Sequence, residues 1–340
     1  MLKTAARRRL VLLALAAATG SALAQKTTPA PAPKAAPAAS VQNWPTKPVR
    51  ILVGFPAGST PDLVARTIAE PLAKELGQPV LVENKVGAGG NIAADQIARA
   101  TDDHTIGVMI NGNMTIAKLL NPAVPYDPLK AFQPISLIGT APLMLAAPAT
   151  AGFNNAQEFF LSARNGGTKW SYGSPGVGTV GHIGMELLKT KTNMDPLHVP
   201  YPGNPQVIQA LITNQIQLAL LPPGLAAPQI KAGKLKAVGV TSSARSPLVP
   251  EYPSLAEQGV LGFQLEIWTA AAAPKSMPKP IVDKLSAMVS RIARSPEVRS
   301  KLFQQGWQTA GTNGEGLANR IKQDTAILGG VIMMRGITAQ

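Results

Sequence analysis

One local pattern occurs in both halves of this chain, and it limits the folds open to it. A short strand-like run leads into a loop rich in Gly, Ser and Thr, and the loop leads into helical spacing, at 49–76 and again at 172–188. In the first copy the strand is almost wholly apolar, as expected of a strand buried on both faces of a parallel sheet. Such strands are joined by helical crossovers. The chain is therefore predicted to be an α/β protein built from two units.

The first unit begins with a strand at 49–55 and a helix that Gly77 ends. Thr60 is predicted to cap this helix, with Pro61 in its first turn and Asp62 complementing the helix dipole. Its next elements are predicted as a strand at 80–82 and a helix at 92–100.

The second unit is predicted to begin near Pro142. Its further elements are strands at 197–201, 217–221 and 236–241, with a helix at 206–211. After Trp268 the pattern becomes helical, with helices that open at Pro280 and Ser295. Because these last helices have no strands of their own, we expect them to pack on the first unit and to make that domain discontinuous.

The N-terminus predicts export from the cytoplasm. Lys3 and three Arg residues precede a short apolar run at 10–18, and Ala22-Leu23-Ala24 follows as a small-x-small cleavage site. The run is less than half of the roughly 20 apolar residues that a membrane anchor needs. We therefore predict a signal peptide at 1–24. The Ala/Pro-rich stretch at 25–43 is predicted to be a structureless tether.

Composition excludes several kinds of site. The chain has no Cys, so it has no disulfide, thiolate metal site or cysteine nucleophile. Its 32 Lys and Arg against 18 Asp and Glu favour anionic partners. Basic residues are scattered and aromatic residues make up only 4%, so nucleic acid is not an expected partner.

Motifs for cofactors and metals are weak. The segment 176–181 matches G-x-G-x-x-G, but the acidic residue expected about 20 positions later is missing. The three His residues have no metal-ligand spacing, so neither a cofactor nor a metal is predicted. His182 lies in the first turn of its helix, where packing or helix-end hydrogen bonding explains it. Donation to a bound anion is the functional alternative.

The two loops at 57–60 and 173–179 carry the positive prediction. Each opens a helix, and the first turn of a helix presents unpaired N–H groups with a partial positive charge. Such a turn binds a carboxylate without a charged side chain, and Gly lets the main chain approach closely. The sequence thus predicts a cleft between two lobes that closes on a small anion.

Many ordered motifs resemble the Bug-type substrate-binding proteins of tripartite tricarboxylate transporters, and the match covers the chain from Trp44 to its C-terminus. These motifs include Trp44-Pro45, Phe55-Pro56-Ala57-Gly58, Leu76-Gly77-Gln78-Pro79-Val80, Gly87-Ala88-Gly89-Gly90-Asn91, Pro125-Tyr126-Asp127-Pro128, Tyr172-Gly173-Ser174, His198-Val199-Pro200-Tyr201 and Ala232-Gly233-Lys234-Leu235.

The resemblance implies a type II periplasmic-binding-protein fold, with two α/β lobes joined by two crossing strands and a ligand cleft between them. Lobe one is expected at 44–141 and 268–340, and lobe two at 142–267. The expected protein is a periplasmic, monomeric receptor that is not an enzyme. It binds a small carboxylate and delivers it to integral-membrane transporter subunits. A periplasmic sensor that feeds a signalling partner and an α/β enzyme that acts on a small acid stay open as alternatives.

The resemblance also implies the ligand-binding residues. They are Phe55, Ala57, Gly58, Ser59, Thr60 and Asp62 in lobe one, and Ser174, Gly178, Thr179, His182 and Tyr201 in lobe two. Asp62 is alternatively a partner for loop N–H groups, and Tyr201 is alternatively a packing residue. Pro202 stands where the family often has Lys or Arg, so a monocarboxylate, a dicarboxylate, an aromatic acid and an amino acid all stay open as ligands.

Overall fold

The computed structural model describes residues 43–338, with Arg335 described by its backbone alone. The predicted signal peptide at 1–24 and the predicted tether at 25–43, apart from its last residue, lie outside the described residues. Among the helices of this range, none is both long enough and apolar enough to cross a membrane.

The first sheet is built around a strand whose side chains alternate between two cores. In β1 (Val49–Val53), Val49, Ile51 and Val53 belong to the core on one face, and Leu52 belongs to the core on the other. The alternation is the two-residue period of a strand. Because both faces are covered, the strand is apolar along almost its whole length.

The strands of the first sheet after β1 are β2 (Val80–Asn84), β3 (Thr105–Ile110), β4 (Phe132–Pro142), β10 (Glu266–Pro274) and β11 (Gln308–Thr309). Their order is β11-β4-β10-β3-β1-β2, in which β10 runs antiparallel to both of its neighbours. We call this sheet and the helices packed on it the first lobe.

The strands of the second sheet are β5 (Met144–Pro148), β6 (Ser171–Ser174), β7 (Leu197–Pro200), β8 (Leu218–Leu221) and β9 (Leu235–Val240). Their order is β7-β6-β8-β5-β9, in which β5 is antiparallel to both of its neighbours. We call this sheet with its helices the second lobe. Both sheets therefore share one plan, in which the first strand that follows a connection from the other lobe lies antiparallel between two neighbouring strands.

The helices surround the two sheets. In chain order they are α1 (Thr60–Leu76), α2 (Asn91–Arg99), α3 (Asn111–Thr115), α4 (Ala117–Leu120), α5 (Pro128–Ala131), α6 (Ala156–Gly166), α7 (Val180–Thr192), α8 (Asn204–Ile212), α9 (Pro223–Lys231), α10 (Lys279–Arg294), α11 (Pro296–Gln304) and α12 (Gly314–Arg335).

Two crossing segments connect the lobes, and one threonine joins them. The chain passes from β4 to β5 at Leu143, and it returns along the residues between β9 and β10. The buried Thr241 hydroxyl accepts the Leu143 N–H at 2.8 Å and donates to the Leu265 carbonyl at 2.6 Å. The two crossing segments are therefore joined to each other by hydrogen bonds between the lobes.

Strand β10 corrects the prediction that the pattern after Trp268 is helical. Its residues 270–273 are all Ala, a residue depleted in strands, and they lie fully buried between β3 and β4. Small side chains suit this central position because helices cover both faces of the sheet. Tertiary packing therefore makes this segment a strand, although its residues have a low strand propensity.

Helix α12 contacts both lobes, whereas all of 268–340 was expected to belong to lobe one. Leu317 and Ile321 pack in a core of the first lobe, while Leu328 and Ile332 pack in a core of the second. Between these pairs, Asp324 accepts a hydrogen bond from the buried Trp268 indole. The apolar face of α12 is long enough to extend from the first lobe to the second. A helix of this length was not predicted from the sequence.

Candidate functional site

A small cavity lies between the lobes, where the first long helix of each lobe begins. Ser59 and Thr60 line it from the start of α1, and Thr179 and Val180 line it from the start of α7. Its volume is about 40 Å³. This is room for about three water molecules. A larger ligand therefore enters only when the lobes separate.

Main-chain N–H groups dominate the polar character of this cavity. The first residues of a helix have N–H groups without an acceptor inside the helix, here those of Thr60, Val180 and Gly181, all of which line the cavity. The two helix dipoles add partial positive charge. Over the described part of the chain, no Asp, Glu, Lys or Arg side chain lines it. The site is thus suited to an anion held by the backbone.

The loop before α1 differs from the prediction in one detail. Thr60, predicted to cap the helix, is its first residue, and the extended backbone of an N-cap occurs at Ser59. A capping side chain accepts from the second or third N–H of the helix, and Pro61 removes the second. The Ser59 Oγ accordingly makes no capping hydrogen bond and lies buried without a partner.

Asp62 holds the loop before α1 in place. Its buried carboxylate accepts from the Gly58 N–H and the Asn84 amide, each at 2.9 Å, and from Arg66 Nε at 3.1 Å. Burial acts to raise the pKa of Asp62, but the hydrogen bonds from Arg66, Asn84 and Gly58 outweigh it, and the pKa lies below its ordinary value. Asp62 therefore stays ionised, with its oxygens engaged by loop and helix groups, as the alternative interpretation expected.

The loop before α7 folds back on its own carbonyl groups. Gly176 and Gly178 have φ of 122° and 82°, a region that favours glycine. The Thr179 hydroxyl donates to the Gly176 carbonyl at 2.7 Å, and the Gly176 N–H donates to Ser174 Oγ at 3.2 Å. These bonds fix the loop from within, so that Thr179 stands as the N-cap of α7 at the cavity wall.

Two stacked imidazoles support the loop before α7 from behind. The rings of His182 and His198 are 4.2 Å apart and nearly parallel. His182 Nδ1 accepts the Gly178 N–H at 3.3 Å, and His198 Nε2 lies 2.7 Å from Ser174 Oγ. Burial, with the positive charge of Lys189 adding to it, lowers the pKa of both rings, and that of His198 falls to about 3. His182 thus accepts a hydrogen bond from the loop at the start of its helix, as the interpretation by packing or helix-end hydrogen bonding expected.

The neutral state of His198 predicts a pH dependence of folding. A His whose pKa is lowered in the fold contributes stability that is complete above the unfolded value of about 6.5. That stability is lost as the pH falls towards about 3. We expect the unfolding temperature to drop between pH 7 and pH 4, and to drop less steeply in His198→Gln. Equal slopes in the two proteins, measured by circular dichroism, would contradict this role.

The predicted ligand-binding residues occupy four different positions. Those that line the interlobe cavity are Phe55, Ser59, Thr60 and Thr179, and those of the loops beside or behind it are Ala57, Gly58, Asp62 and Ser174. Gly178 and Tyr201 line a separate, larger space of about 740 Å³, which residues of both lobes also line. His182 lines a third space of about 490 Å³ with His198 and Glu186. The ligand-binding roles of all these residues remain predictions.

Three residues that line the cavity with polar side-chain atoms were not predicted from the sequence. Asn111 directly follows β3, and the carboxyl end of a parallel strand is a usual ligand position, so that signal was available. Asn204 begins α8, and its amide donates to the Thr60 hydroxyl at 3.1 Å across the cleft. Trp307 comes from the C-terminal part of the chain, and no local sequence pattern predicts that it lines the cavity.

The lobes approach each other through glycines at the two edges of the cleft. A Cβ at Gly89 would lie 2.6 Å from the Val177 carbonyl oxygen. At the other edge, a Cβ at Gly224 would overlap the Gln305 carbonyl group. This close, side-chain-free contact is what the closed arrangement requires.

Across 43–338, no group of three His, Asp or Glu side chains is placed to hold a metal ion.

Comparison with known sequences identifies a family. The sequence pattern of the tripartite tricarboxylate transporter family receptor matches residues 64–337. The UPF0065 protein of the tcbD-tcbE intergenic region of a Pseudomonas strain is 33% identical over 321 residues, which cover 94% of this chain and 91% of that protein.

Solved structures give the same result. The periplasmic binding protein BugD has a TM-score of 0.83 and 33% identity, covering 87% of this chain and 100% of that one. MatC from Rhodopseudomonas palustris with bound malate has a TM-score of 0.81 and 33% identity, covering 85% and 100%. Another R. palustris protein, with adipate, has a TM-score of 0.83 and 28% identity, covering 87% and 99%.

Proposed function

The chain belongs to the tripartite tricarboxylate transporter receptor family, and from that premise we propose that it is a periplasmic solute receptor. It binds a small carboxylate between its lobes and delivers it to integral-membrane transporter subunits. The observation that carries this proposal is the cavity at the starts of α1 and α7, lined by hydroxyl, amide and main-chain groups. Relatives of known structure contain malate and adipate, which are both carboxylates.

The energetics favour a site shared by both lobes. A hydrogen bond to a charged group contributes about 1.5–3 kcal/mol, and micromolar affinity needs about 8 kcal/mol after the costs of association. The few free N–H groups of one helix start fall short of that sum. N–H donors from the starts of both α1 and α7 together supply the free energy that micromolar affinity needs. Binding is thereby coupled to closure of the lobes.

An enzyme is the less supported alternative. Ser174 and His198 form a hydroxyl–imidazole contact like that of a nucleophile and its base, at 2.7 Å. The Ser174 side chain is fully buried, however, and its hydroxyl also binds the main chain of Gly176. A nucleophile has to reach its substrate, and a group enclosed behind a loop does not. This pair therefore supports the loop.

A thermal-shift screen of the chain without residues 1–24 tests the receptor proposal. A ligand at 100 times its dissociation constant stabilises the fold by about 2.7 kcal/mol, which raises the unfolding temperature by about 5 °C. We expect such a shift with at least one small carboxylate. A shift with nucleotides or metal ions and with no acid would overturn the proposal.

Delivery to a transporter needs a separate measurement, because a periplasmic sensor would bind the same acid. Deleting the gene should abolish uptake of the radiolabelled acid, and supplying Thr179→Asn, but not Thr179→Asp, should restore it. Unchanged uptake with a lost transcriptional response to the acid would favour the sensor.

A further inference from the structure

The interlobe cavity gathers most of the unpaired polar atoms of the interior. Within residues 43–338, five buried side-chain polar atoms have no hydrogen-bond partner, and four belong to residues that line this one cavity. They are Ser59 Oγ, Asn111 Oδ1, Asn204 Oδ1 and Trp307 Nε1. Their residues are 1%, 1%, 8% and 1% exposed.

Such a concentration points to a bound partner. A buried polar group without a hydrogen bond is costly, and native proteins contain few of them. Four around one cavity of about 40 Å³ are groups whose hydrogen-bond partners have to come from whatever occupies the cavity. The donor or acceptor character of these four atoms therefore indicates which polar groups the ligand carries.

The donors and acceptors can be assigned. The Trp307 indole is a donor only, so it needs an acceptor on the ligand. Asn111 Nδ2 donates to the Glu266 carbonyl at 3.3 Å, and a carbonyl cannot donate in return, so Asn111 Oδ1 is an acceptor that needs a donor. Asn204 is less selective, because its amide contacts a hydroxyl, which can donate or accept.

We propose that Trp307 and Asn111 select a carboxylate that also carries a hydroxyl or ammonium group. A carboxylate oxygen accepts from Trp307 Nε1, and the hydroxyl or ammonium donates to Asn111 Oδ1. An unsubstituted acid leaves Asn111 Oδ1 unpaired. Of the two ligands named in the related structures, malate carries a hydroxyl and adipate does not. The inference rests on the proposed receptor function and narrows it.

Calorimetry with matched acids tests the selection. The chain without residues 1–24 is titrated with propionate, lactate and alanine, with succinate, malate and aspartate, and with adipate and its 2-hydroxy and 2-amino derivatives. A site that hydrogen-bonds a ligand hydroxyl or amine rejects the analogue that lacks it by large factors. In whichever series binds, a substituted acid should bind at least tenfold more tightly than the plain acid.

Variants assign that preference to the two residues. Asn111→Leu, or Asn111→Thr if circular dichroism shows the first to be unfolded, should bring the ratio of the two affinities close to one. Trp307→Phe should lower the affinity for every acid at least tenfold, and circular dichroism should show that the variant is still folded. Trp44→Phe is the matched control, since the Trp44 indole donates to the Asp103 carbonyl at 2.8 Å away from the cavity. It should lower the unfolding temperature and leave the affinities unchanged.

The outcomes separate the two proposals. A plain acid that binds as tightly as its substituted analogues, or a ratio that survives both Asn111 variants, overturns the selection and leaves the receptor function standing. Unchanged affinities in Trp307→Phe overturn the role of Trp307. If no acid in any series binds to the unaltered protein, the receptor function itself fails.

Discussion

Thr179→Asp should abolish carboxylate binding and leave the protein folded. Thr179 is the N-cap of α7 and lies buried at the cavity wall. Asp is a good N-cap, so the helix is retained. Its charge, however, would stand about 4–5 Å from a bound carboxylate, and like charges at that distance repel by about 3–4 kcal/mol at an effective dielectric of 20. We expect calorimetry to show a loss of affinity of at least about 100-fold.

Thr179→Asn is the matched control for this charge effect. Asn caps a helix as well as Asp does, and like Thr it can donate to the Gly176 carbonyl, but it is neutral. Its affinity should stay within about tenfold of that of the unaltered protein. If Asp and Asn weaken binding equally, charge at this position is not the cause, and α7 does not hold the carboxylate.

Gly224→Ala should separate ligand affinity from folding. Gly224 lies in the first turn of α9 without a positive φ, so Ala fits the helix and has the higher helix propensity. Its Cβ would nevertheless overlap the Gln305 carbonyl of the other lobe. Relief of such an overlap costs about 1–3 kcal/mol. We expect the affinity for the acid to fall roughly tenfold to a hundredfold, while the free protein unfolds at an unchanged or slightly higher temperature.

Gly330→Ala provides the comparison for Gly224→Ala. It is also a Gly→Ala change within a helix, and a Cβ at Gly330 would meet no atom within 4 Å. Its affinity should equal that of the unaltered protein. Small-angle scattering should show that ligand compacts this variant but not Gly224→Ala. Normal affinity and compaction in Gly224→Ala would mean that the closed arrangement described here is not the ligand-binding state.

The elements that follow local rules were predictable from the sequence. The apolar run of β1, the glycine that ends α1 and the spacing of α10 each depend on residues close together in the chain, and these elements occur near their predicted positions. The alternation of strands and helices was enough to predict an α/β fold. The crossing strands were known only through the resemblance, because the Ala-rich β10 is defined by its neighbours in the sheet and not by its own propensity.

The candidate site was predictable to a smaller extent. The two loops carry local signatures, and Thr60 and Thr179 do line one cavity. His182 follows the same loop motif, yet it lies behind the loop because its ring stacks on His198, which comes from a different strand. Trp307 lies far from both loops in sequence and reaches the cavity only through the tertiary fold. Contacts between residues so far apart in the chain cannot be predicted from residue spacing or periodicity.

A crystal structure of the protein with its best-binding acid would show directly which groups hold the carboxylate. We expect carboxylate oxygens within about 2.7–3.2 Å of the backbone nitrogens of Thr60 and Val180, so that both helix starts hold the acid. An acid seated only in the larger space beside Tyr201, or held by charged side chains away from both helix starts, would contradict this binding mode.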